Sequence, residues 1–308
     1  MRLLVVGAGS TGGYFGGRLA QAGRDVTFLV RPGRAAQLQK GGLQIVSPHG
    51  DVILTPRLVT ADRIDGPYDA VILTVKAYSL EAALDDLAPA VGPDTMILPV
   101  LNGMRHVDAI RARFGARALI GGLCRIPAQL DEQGRVIQMG KFQDLAYGEM
   151  DGSASARIAA LDAVLTNAGF DAKLTPHIER EMWEKWTLLA ALGGICCLMH
   201  GTVGEVAAAP GGRDFALDLI DEVVAAVTAV GKAPTEAFVA NTKDTLTRAG
   251  SSHTSSMYRD LQKGAPVEAD QIVGDLLVRA KQAGIAMPLL SLAYTSLSIY
   301  QGQLAAAG

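Results

Sequence analysis

The segment that most narrows what this chain can fold into lies near its start. Leu3–Val6 is an apolar run that passes without a break into Gly7-Ala8-Gly9-Ser10-Thr11-Gly12. A GxGxxG pattern alone is weak, since a chain with 35 glycines produces it by chance. Set between a buried-type strand and a helix-like stretch over Thr11–Ala22, it meets a specific mechanical demand. Gly7 permits the tight turn, Gly9 lets a pyrophosphate approach the backbone, and Gly12 lets helix and strand pack closely. The helix N-terminus offers free N–H groups and a partial positive charge to phosphates. Gly7, Ala8, Gly9, Ser10, Thr11 and Gly12 are therefore candidate dinucleotide-binding residues. Gly13, Gly16 and Gly17 continue a smooth helix face, whose cost in helix propensity close packing on a sheet can offset.

The rest of the first half keeps a strand–helix rhythm. Asp25–Val30 and Ala70–Val75 read as strands, the second apolar throughout, as in a parallel sheet covered on both faces. Leu43–Ser47 and Val52–Pro56, with His49-Gly50 between, read as an inserted hairpin. Ser79–Ala90 is amphipathic and stops before Gly92-Pro93, Thr95–Val100 is a further strand, and Ala118–Ile126 and Gln138–Gly148 are extended. Strands alternating with helices predict a doubly wound α/β domain. The second half loses that rhythm. Helical patterns run over Pro176–Leu192, Arg213–Val230, Pro234–Ala249, Asp270–Ala283 and Pro288–Ala306, with Gly231, Gly250 and Gly284 after helices and Pro288 in a first turn. The expected architecture is a Rossmann dinucleotide-binding domain over 1–175 and an all-helical domain over 176–308, joined near a short strand between Gly169 and Pro176. A length of 308 residues suits two domains, at about 100–200 residues each.

Composition removes several function classes. Charged residues make up 19% of the chain with a net charge of −3, and aromatics only 5%, which argues against a cationic, base-stacking nucleic-acid surface. Cys124, Cys196 and Cys197 form no CxxC pair, and none of the five histidines has metal-ligand spacing, so neither a disulfide framework nor a metal site is expected. The longest apolar stretch, Leu188–Met199, is shorter than the roughly 18 residues that a membrane span needs. The opening apolar run stops at Val6, too short for the h-region of a signal peptide. A soluble, cytoplasmic chain is the expectation.

An NAD site places an acid about 20 residues after the glycines to take the ribose hydroxyls. Here that strand ends Leu29-Val30-Arg31-Pro32-Gly33-Arg34, with no carboxylate. Arg31 is placed to face a 2′-phosphate with Arg34 assisting, so NADP(H) is the expected cofactor. In the second half Lys185 falls inside the apolar arc of Ile178, Met182, Trp186, Leu188, Leu189 and Leu192. Such a lysine either snorkels to water or sits desolvated beside a partner. Desolvation lowers a lysine pKa, as a general acid near neutrality requires. Asn102-Gly103 and Lys76 each follow a strand at its carboxyl end, where open α/β sheets bind ligands, although Asn-Gly is also an ordinary turn. Ser255-Ser256-Met257 and Glu268 read first as loop or helix cap. There is no GxSxG or other nucleophile motif.

These pieces together resemble the ketopantoate reductase family (2-dehydropantoate 2-reductases). The resemblance is carried by VVGAGSTGGYFGGRL at Val5–Leu19, LVR at Leu29–Arg31, LTVKAY at Leu73–Tyr78 and LNGM at Leu101–Met104. It continues through IGG at Ile120–Gly122, EMWEKW at Glu181–Trp186, SSMYRDLQKGAPVEAD at Ser255–Asp270 and AGIAMP at Ala283–Pro288. The resemblance implies an NADPH-dependent reduction of ketopantoate to pantoate in pantothenate and coenzyme A synthesis, with substrate held between the two domains. It implies Lys185 as the general acid that protonates the 2-oxo oxygen, and Glu268 orienting that lysine and the bound ligands. Asn102 would contact cofactor and substrate with Lys76 nearby, Ser256 would bind substrate, Arg31 would meet the 2′-phosphate, and Pro127 lies near a further cofactor contact. It also implies pairing of two copies through the helical domain.

Three positions depart from the pattern. Leu189, Gly193 and Val203 stand where the family commonly has asparagines that reach the substrate. A pocket that hydrogen-bonds a substrate hydroxyl discriminates strongly through such groups. Two alternatives therefore stay open beside ketopantoate reduction: an NADPH-dependent reductase of a different, more apolar 2-oxo acid, and an NADP(H)-binding protein without chemistry. Whether Cys196 and Cys197 line the pocket is not fixed by their positions.

Overall fold

The computed structural model describes residues 1–307. The chain forms two compact units, one of Met1–Leu101 with His106–Glu179, the other of Asn102–Arg105 with Arg180–Gly308. An N-terminal α/β domain built on a parallel sheet is followed by a helical C-terminal domain.

The first unit opens with β1 (Arg2–Val6), α1 (Ser10–Gln21), β2 (Asp25–Leu29), α2 (Pro32–Gly41), β3 (Leu43–Val46), β4 (Val52–Leu54), β5 (Arg57–Val59) and β6 (Ala70–Leu73). There follow α3 (Leu80–Leu87), β7 (Met96–Pro99), α4 (Arg105–Phe114), β8 (Gly121–Arg125), β9 (Ala128–Leu130), β10 (Val136–Gln138), β11 (Asp144–Gly148), α5 (Ala156–Leu165) and β12 (Asp171–Leu174). Five of these strands make a parallel sheet in the order β5-β2-β1-β6-β7. Strand order reverses at β1, so the turn after it sits at the switch point where open α/β sheets bind ligands. The hairpin expected at Leu43–Pro56 is present, with Leu43 opposite Leu54. It belongs to a second sheet, β4-β3-β10-β9. The extended segment expected over Gln138–Gly148 divides instead: β10 ends at Gln138, and β11 pairs with β8 and β12 in a third sheet.

Helix α1 touches two of these sheets, and its glycines mark the contacts. A Cβ on Gly16 would lie 2.6 Å from the Phe28 ring and 3.0 Å from Val5, both in the five-stranded sheet. A Cβ on Gly13 would lie 2.8 Å from Val136, and one on Gly17 2.6 Å from Ile45, both in the second sheet. A smooth helix here is a double packing surface, and the buried Phe15, Leu19, Phe28, Leu43 and Ile45 fill the space on either side.

The helical unit comprises α6 (Ile178–Met199), from Arg180 onward, with α7 (Val203–Ala208), α8 (Gly212–Val230), α9 (Glu236–Leu246), α10 (Ser256–Gln262), α11 (Asp275–Gln282) and α12 (Pro288–Ala307). A π-helical turn over Asp270–Gly274 runs directly into α11. Helix α8 buries Ala216, Leu219, Ile220, Val223 and Val227 along one stripe. The Glu222 carboxylate accepts the Leu289 and Leu290 N–H groups at 3.0 and 2.8 Å, capping the start of α12 from another helix. Helix α6 runs past Leu192 through Gly193-Gly194, because those glycines are packing sites: a Cβ on Gly194 would lie 3.2 Å from Leu219 and Leu290. Gly231 ends α8, yet its φ of −150° is ordinary. It is glycine because a Cβ there would enter the Trp183 ring at 2.3 Å.

Gly16→Ala gains about 1 kcal/mol in helix propensity and loses about 1–3 kcal/mol to overpacking against Phe28. Urea unfolding should show net destabilisation, and a more stable Gly16→Ala protein would contradict the double-packing account.

Candidate functional site

In the α/β unit the site begins at the end of β1. Gly7 has a φ of +93°, and its N–H donates to the Leu29 carbonyl at 3.0 Å. Gly12 is the tightest point: a Cβ there would lie 2.0 Å from the Gly7 carbonyl oxygen and 2.2 Å from Thr74 Oγ1. Thr74 follows β6, and its hydroxyl donates to the Val6 carbonyl at 2.8 Å, pinning the turn from the neighbouring strand. Gly9 is different in kind. It is the N-cap of α1, and a Cβ there would meet nothing within 4 Å. Ala8 is buried, while Ser10 and Thr11 open the helix half-buried. The result is a rigid turn with open space over Gly9 and helix N–H groups facing it, the cradle that a pyrophosphate requires.

Two arginines follow β2. Arg31 is the exposed N-cap of α2, with Pro32 in its first turn. Arg34, one turn on, lies against the glycine turn itself: its Nε donates to the Ala8 carbonyl at 3.0 Å and its Nη1 to Gln37 at 2.5 Å. Its Nη2 is buried without a hydrogen-bond partner, and burial pulls the guanidinium below its ordinary pKa. A buried donor left over beside a phosphate cradle fits an anionic group of a dinucleotide. Sequence spacing favoured Arg31, whereas the contacts single out Arg34. Lys76 is exposed just past the end of β6. Pro127, half-buried between β8 and β9, accepts the Met139 N–H at 2.7 Å.

The helical unit assembles the other candidates. Lys185 is half-buried on α6, and Leu189 and Gly193 follow it along the same helix face at successive turns. Glu268 is buried, 6% exposed, just before the π-helical turn. Asn102 belongs to the short segment that packs with this unit, and its Nδ2 donates to Glu268 Oε2 at 3.5 Å, the long end of hydrogen bonding. Gly103 beside it has a φ of +76°, and a Cβ there would lie 2.6 Å from the Gln271 carbonyl oxygen. Asn102-Gly103 is thus a turn that also places the amide on the carboxylate. Ser255 is the N-cap of α10, accepting the Tyr258 N–H at 2.9 Å, and Ser256 is the first residue of that helix.

Met257, which the sequence reads as part of a loop or helix cap, is buried, and its Cε would lie 2.5 Å from a Cβ on Gly193. The space in which a side chain at position 193 would begin is therefore held by a methionine. Val203 is fully buried in the first turn of α7, its N–H donating to the His253 carbonyl at 3.0 Å. Cys196 and Cys197 are buried inside α6, with Cys197 Sγ 4.0 Å from Ser255 Oγ and burial pushing its thiol up to about 12. Both are inert packing residues. A cavity of about 420 Å³ beside α7 and the start of α8, lined by Met199, His200, Val206, Pro210 and Phe215 among others, holds none of the candidates. Among the described residues no cluster of His, Cys, Asp or Glu could hold a metal ion, and no helix is long and apolar enough to cross a membrane.

A glycine turn at the switch point of a doubly wound sheet, followed by a helical unit that gathers an amide, a buried carboxylate and a lysine helix, defines a class: dinucleotide-dependent oxidoreductases. Comparison with known proteins sharpens this. The family model for "Ketopantoate reductase PanE/ApbA" matches residues 3–152, and that for "Ketopantoate reductase PanE/ApbA C terminal" matches residues 177–301. The chain belongs to the ketopantoate reductase family and is an oxidoreductase acting on CH–OH groups. The uncharacterized oxidoreductase YkpB of Bacillus subtilis strain 168 is 37% identical over 303 residues, covering 98% of this chain and 100% of that one. A 2-dehydropantoate 2-reductase of Mesorhizobium japonicum is 28% identical, with 89% of each chain covered. Among solved structures, the 2-dehydropantoate 2-reductase of Geobacter metallireducens GS-15 superposes with a TM-score of 0.85 at 29% identity, covering 97% of this chain and 99% of that one. D-mandelate dehydrogenase with NADH and anilino(oxo)acetate shares the fold, with a TM-score of 0.86 at 23% identity and 99% and 100% coverage.

The contact at Gly12 is testable by binding. In Gly12→Ala the added carbon must displace backbone, so affinity for a reduced nicotinamide dinucleotide should fall at least about tenfold, or 1.4 kcal/mol, by fluorescence titration. Gly302→Ala, where a Cβ meets nothing within 4 Å, should leave it unchanged.

Proposed function

We propose that this protein reduces a 2-oxo acid with NADPH, and that ketopantoate is the substrate to test first, the product being pantoate for pantothenate and coenzyme A synthesis in the cytoplasm. The observation that carries the reading is the meeting of Asn102 with the buried carboxylate of Glu268 in the unit that bears Lys185. The bound dinucleotide supplies a hydride to the 2-oxo carbon. The protein's task is to answer the charge that this creates. Negative charge develops on the substrate oxygen, and the Lys185 ammonium both stabilises it and hands it a proton. Glu268, an acceptor, orients the lysine and offsets the cost of placing an ammonium on an apolar helix face. The Asn102 amide, which donates to Glu268, has a carbonyl left to accept from substrate or cofactor. The Ser256 hydroxyl binds the acid.

The turn of Gly7, Ala8, Gly9, Ser10, Thr11 and Gly12 would hold the pyrophosphate, with Lys76 and Pro127 as further cofactor contacts. The preference for NADPH over NADH rests on the absent carboxylate after β2 and on Arg31 and the unpartnered Nη2 of Arg34. Two copies pairing through the helical domain complete the proposal.

A specific observation favours a second reading. With Met257 against Gly193, and Leu189 one turn from Lys185, two positions where the resemblance implies a hydrogen-bonding side chain are apolar instead. A more apolar, branched or aromatic 2-oxo acid fits that exchange, because losing a substrate hydroxyl contact costs a pocket its discrimination. NADPH oxidation at 340 nm against ketopantoate, 2-oxoisovalerate, phenylpyruvate and pyruvate separates the two. Preference for ketopantoate supports the first, and a faster branched or aromatic acid the second. Lys185→Ala should lower kcat by about 10²–10⁴-fold while NADPH still binds. Tight NADPH binding without oxidation by any of these acids would leave a binding protein without chemistry.

A further inference from the structure

The geometry points to Trp186 as a positioning residue for the reaction: its buried indole N–H, held by the Ile272 carbonyl, fixes the register of the lysine helix against the segment that carries Glu268. This rests on Lys185 being the proton donor. Trp186 is the next residue after Lys185 on α6, is 1% exposed, and donates from Nε1 to the Ile272 carbonyl at 2.8 Å. Ile272 lies in the π-helical turn that begins two residues after Glu268.

The turn that receives this bond departs from regular α-helix. The Asp275 N–H reaches back five residues to the Asp270 carbonyl, which leaves the Gln271 carbonyl without the donor a regular α-helix would give it. That carbonyl lies where a Cβ of Gly103 would have to sit, at 2.6 Å, with Trp186 Cε2 at 3.9 Å. Three separate segments therefore converge on one indole: the Asn102-Gly103 turn, α6 at Lys185, and the widened turn after Glu268. A π-helical turn is a local misfit that needs outside support and recurs at functional sites. The support here is one charge-free hydrogen bond in a dry environment, where orientation is retained and water does not compete. Arg279 completes the arrangement from α11, its guanidinium 5.6 Å from the Trp186 ring and its Nε paired with Asp275 at 3.0 Å. The acid and the carboxylate are positioned by a neighbour that need not touch substrate.

A second tryptophan supplies the control. Trp183 is 5% exposed, lies 5.2 Å from Trp186 with the rings tilted by 32°, and packs against Gly231. Trp183→Phe and Trp186→Phe remove similar volume, but only the second removes the N–H that holds Ile272. Trp186→His keeps a five-membered ring whose Nε2–H matches the indole N–H, at the cost of the fused ring. Steady-state kinetics with the preferred 2-oxo acid, NADPH titration and thermal unfolding would be measured for all three and for Lys185→Ala. Trp186→Phe should lose about 10- to 100-fold in kcat, with NADPH affinity and KM within about threefold of the parent. Trp186→His should recover part of that kcat although it packs no better. Trp183→Phe should keep kcat within about threefold even where its Tm falls as far. Equal loss of kcat in the two Phe variants, or a Trp186→His no better than Trp186→Phe, would overturn the positioning role and leave Trp186 as core. Should Trp186→Phe fail to accumulate as folded protein, the Trp186→His and Trp183→Phe comparison decides: Trp186→His must retain kcat within about tenfold of the parent. Full activity in Lys185→Ala would instead remove the proton-donor reading on which the tie depends.

Discussion

The first unit is organised by the closeness of one helix to its surroundings. At Gly12 the helix backbone approaches the Gly7 carbonyl so closely that no other residue fits, and this contact turns the chain from β1 into α1 at the switch point of the sheet. Gly13, Gly16 and Gly17 extend the same closeness along two further sides, towards Val136 and Ile45 on one and Phe28 on the other. Each glycine weakens the helix by about 1 kcal/mol relative to alanine, and burial of Phe15, Leu19 and Phe28 more than offsets it. The open side over Gly9 then exists because everything beneath it is full.

The helical unit reaches its geometry by different means. Its helices are tied by side chains that cap other helices: Glu222 on the start of α12, and Glu184 on the Thr235 N–H and hydroxyl at 2.9 Å each at the start of α9. Such caps fix helix ends to neighbours and satisfy donors that would otherwise be orphaned. Between them α6 passes as one continuous helix, and residues on its successive turns, Lys185, Leu189 and Gly193, inherit a common face. The candidate residues of the unit therefore sit on helix rather than on loop, apart from Asn102 and Glu268.

Much of this was legible in the residues. The strand–turn–helix at Leu3–Gly12, the hairpin at Leu43–Leu54 and the long helices α8 and α12 follow from period and punctuation alone. What escaped has physical causes. The edge strands β5 and β9 have three residues each, too few for a period to register. Helix α6 continues through Gly193-Gly194 because Met257, Leu219 and Leu290 fill the space beside it, a tertiary effect that overrides propensity. Gly231 does follow α8 as its punctuation suggests, and it is also a slot for Trp183, a contact no local pattern reveals. The contact of Arg34 with the Ala8 carbonyl could not be read from its place one turn after Arg31, because only the fold brings the two together. Asn102 and Glu268 stand 166 residues apart, so no local spacing could join them; the family resemblance named both, and the fold supplied the contact.

Reduction of a 2-oxo acid with Lys185 as proton donor, as proposed, requires hydride to arrive at the 2-oxo carbon. The most direct test uses NADPH deuterated at the transferable C4 position, with mass and NMR analysis of the product of the preferred 2-oxo acid. The expected product is a 2-hydroxy acid carrying one deuterium at C2, formed by the parent protein and about 10²–10⁴-fold more slowly by Lys185→Ala, which still binds the labelled cofactor. Unlabelled 2-hydroxy acid, or equal labelled product from Lys185→Ala, would contradict the account.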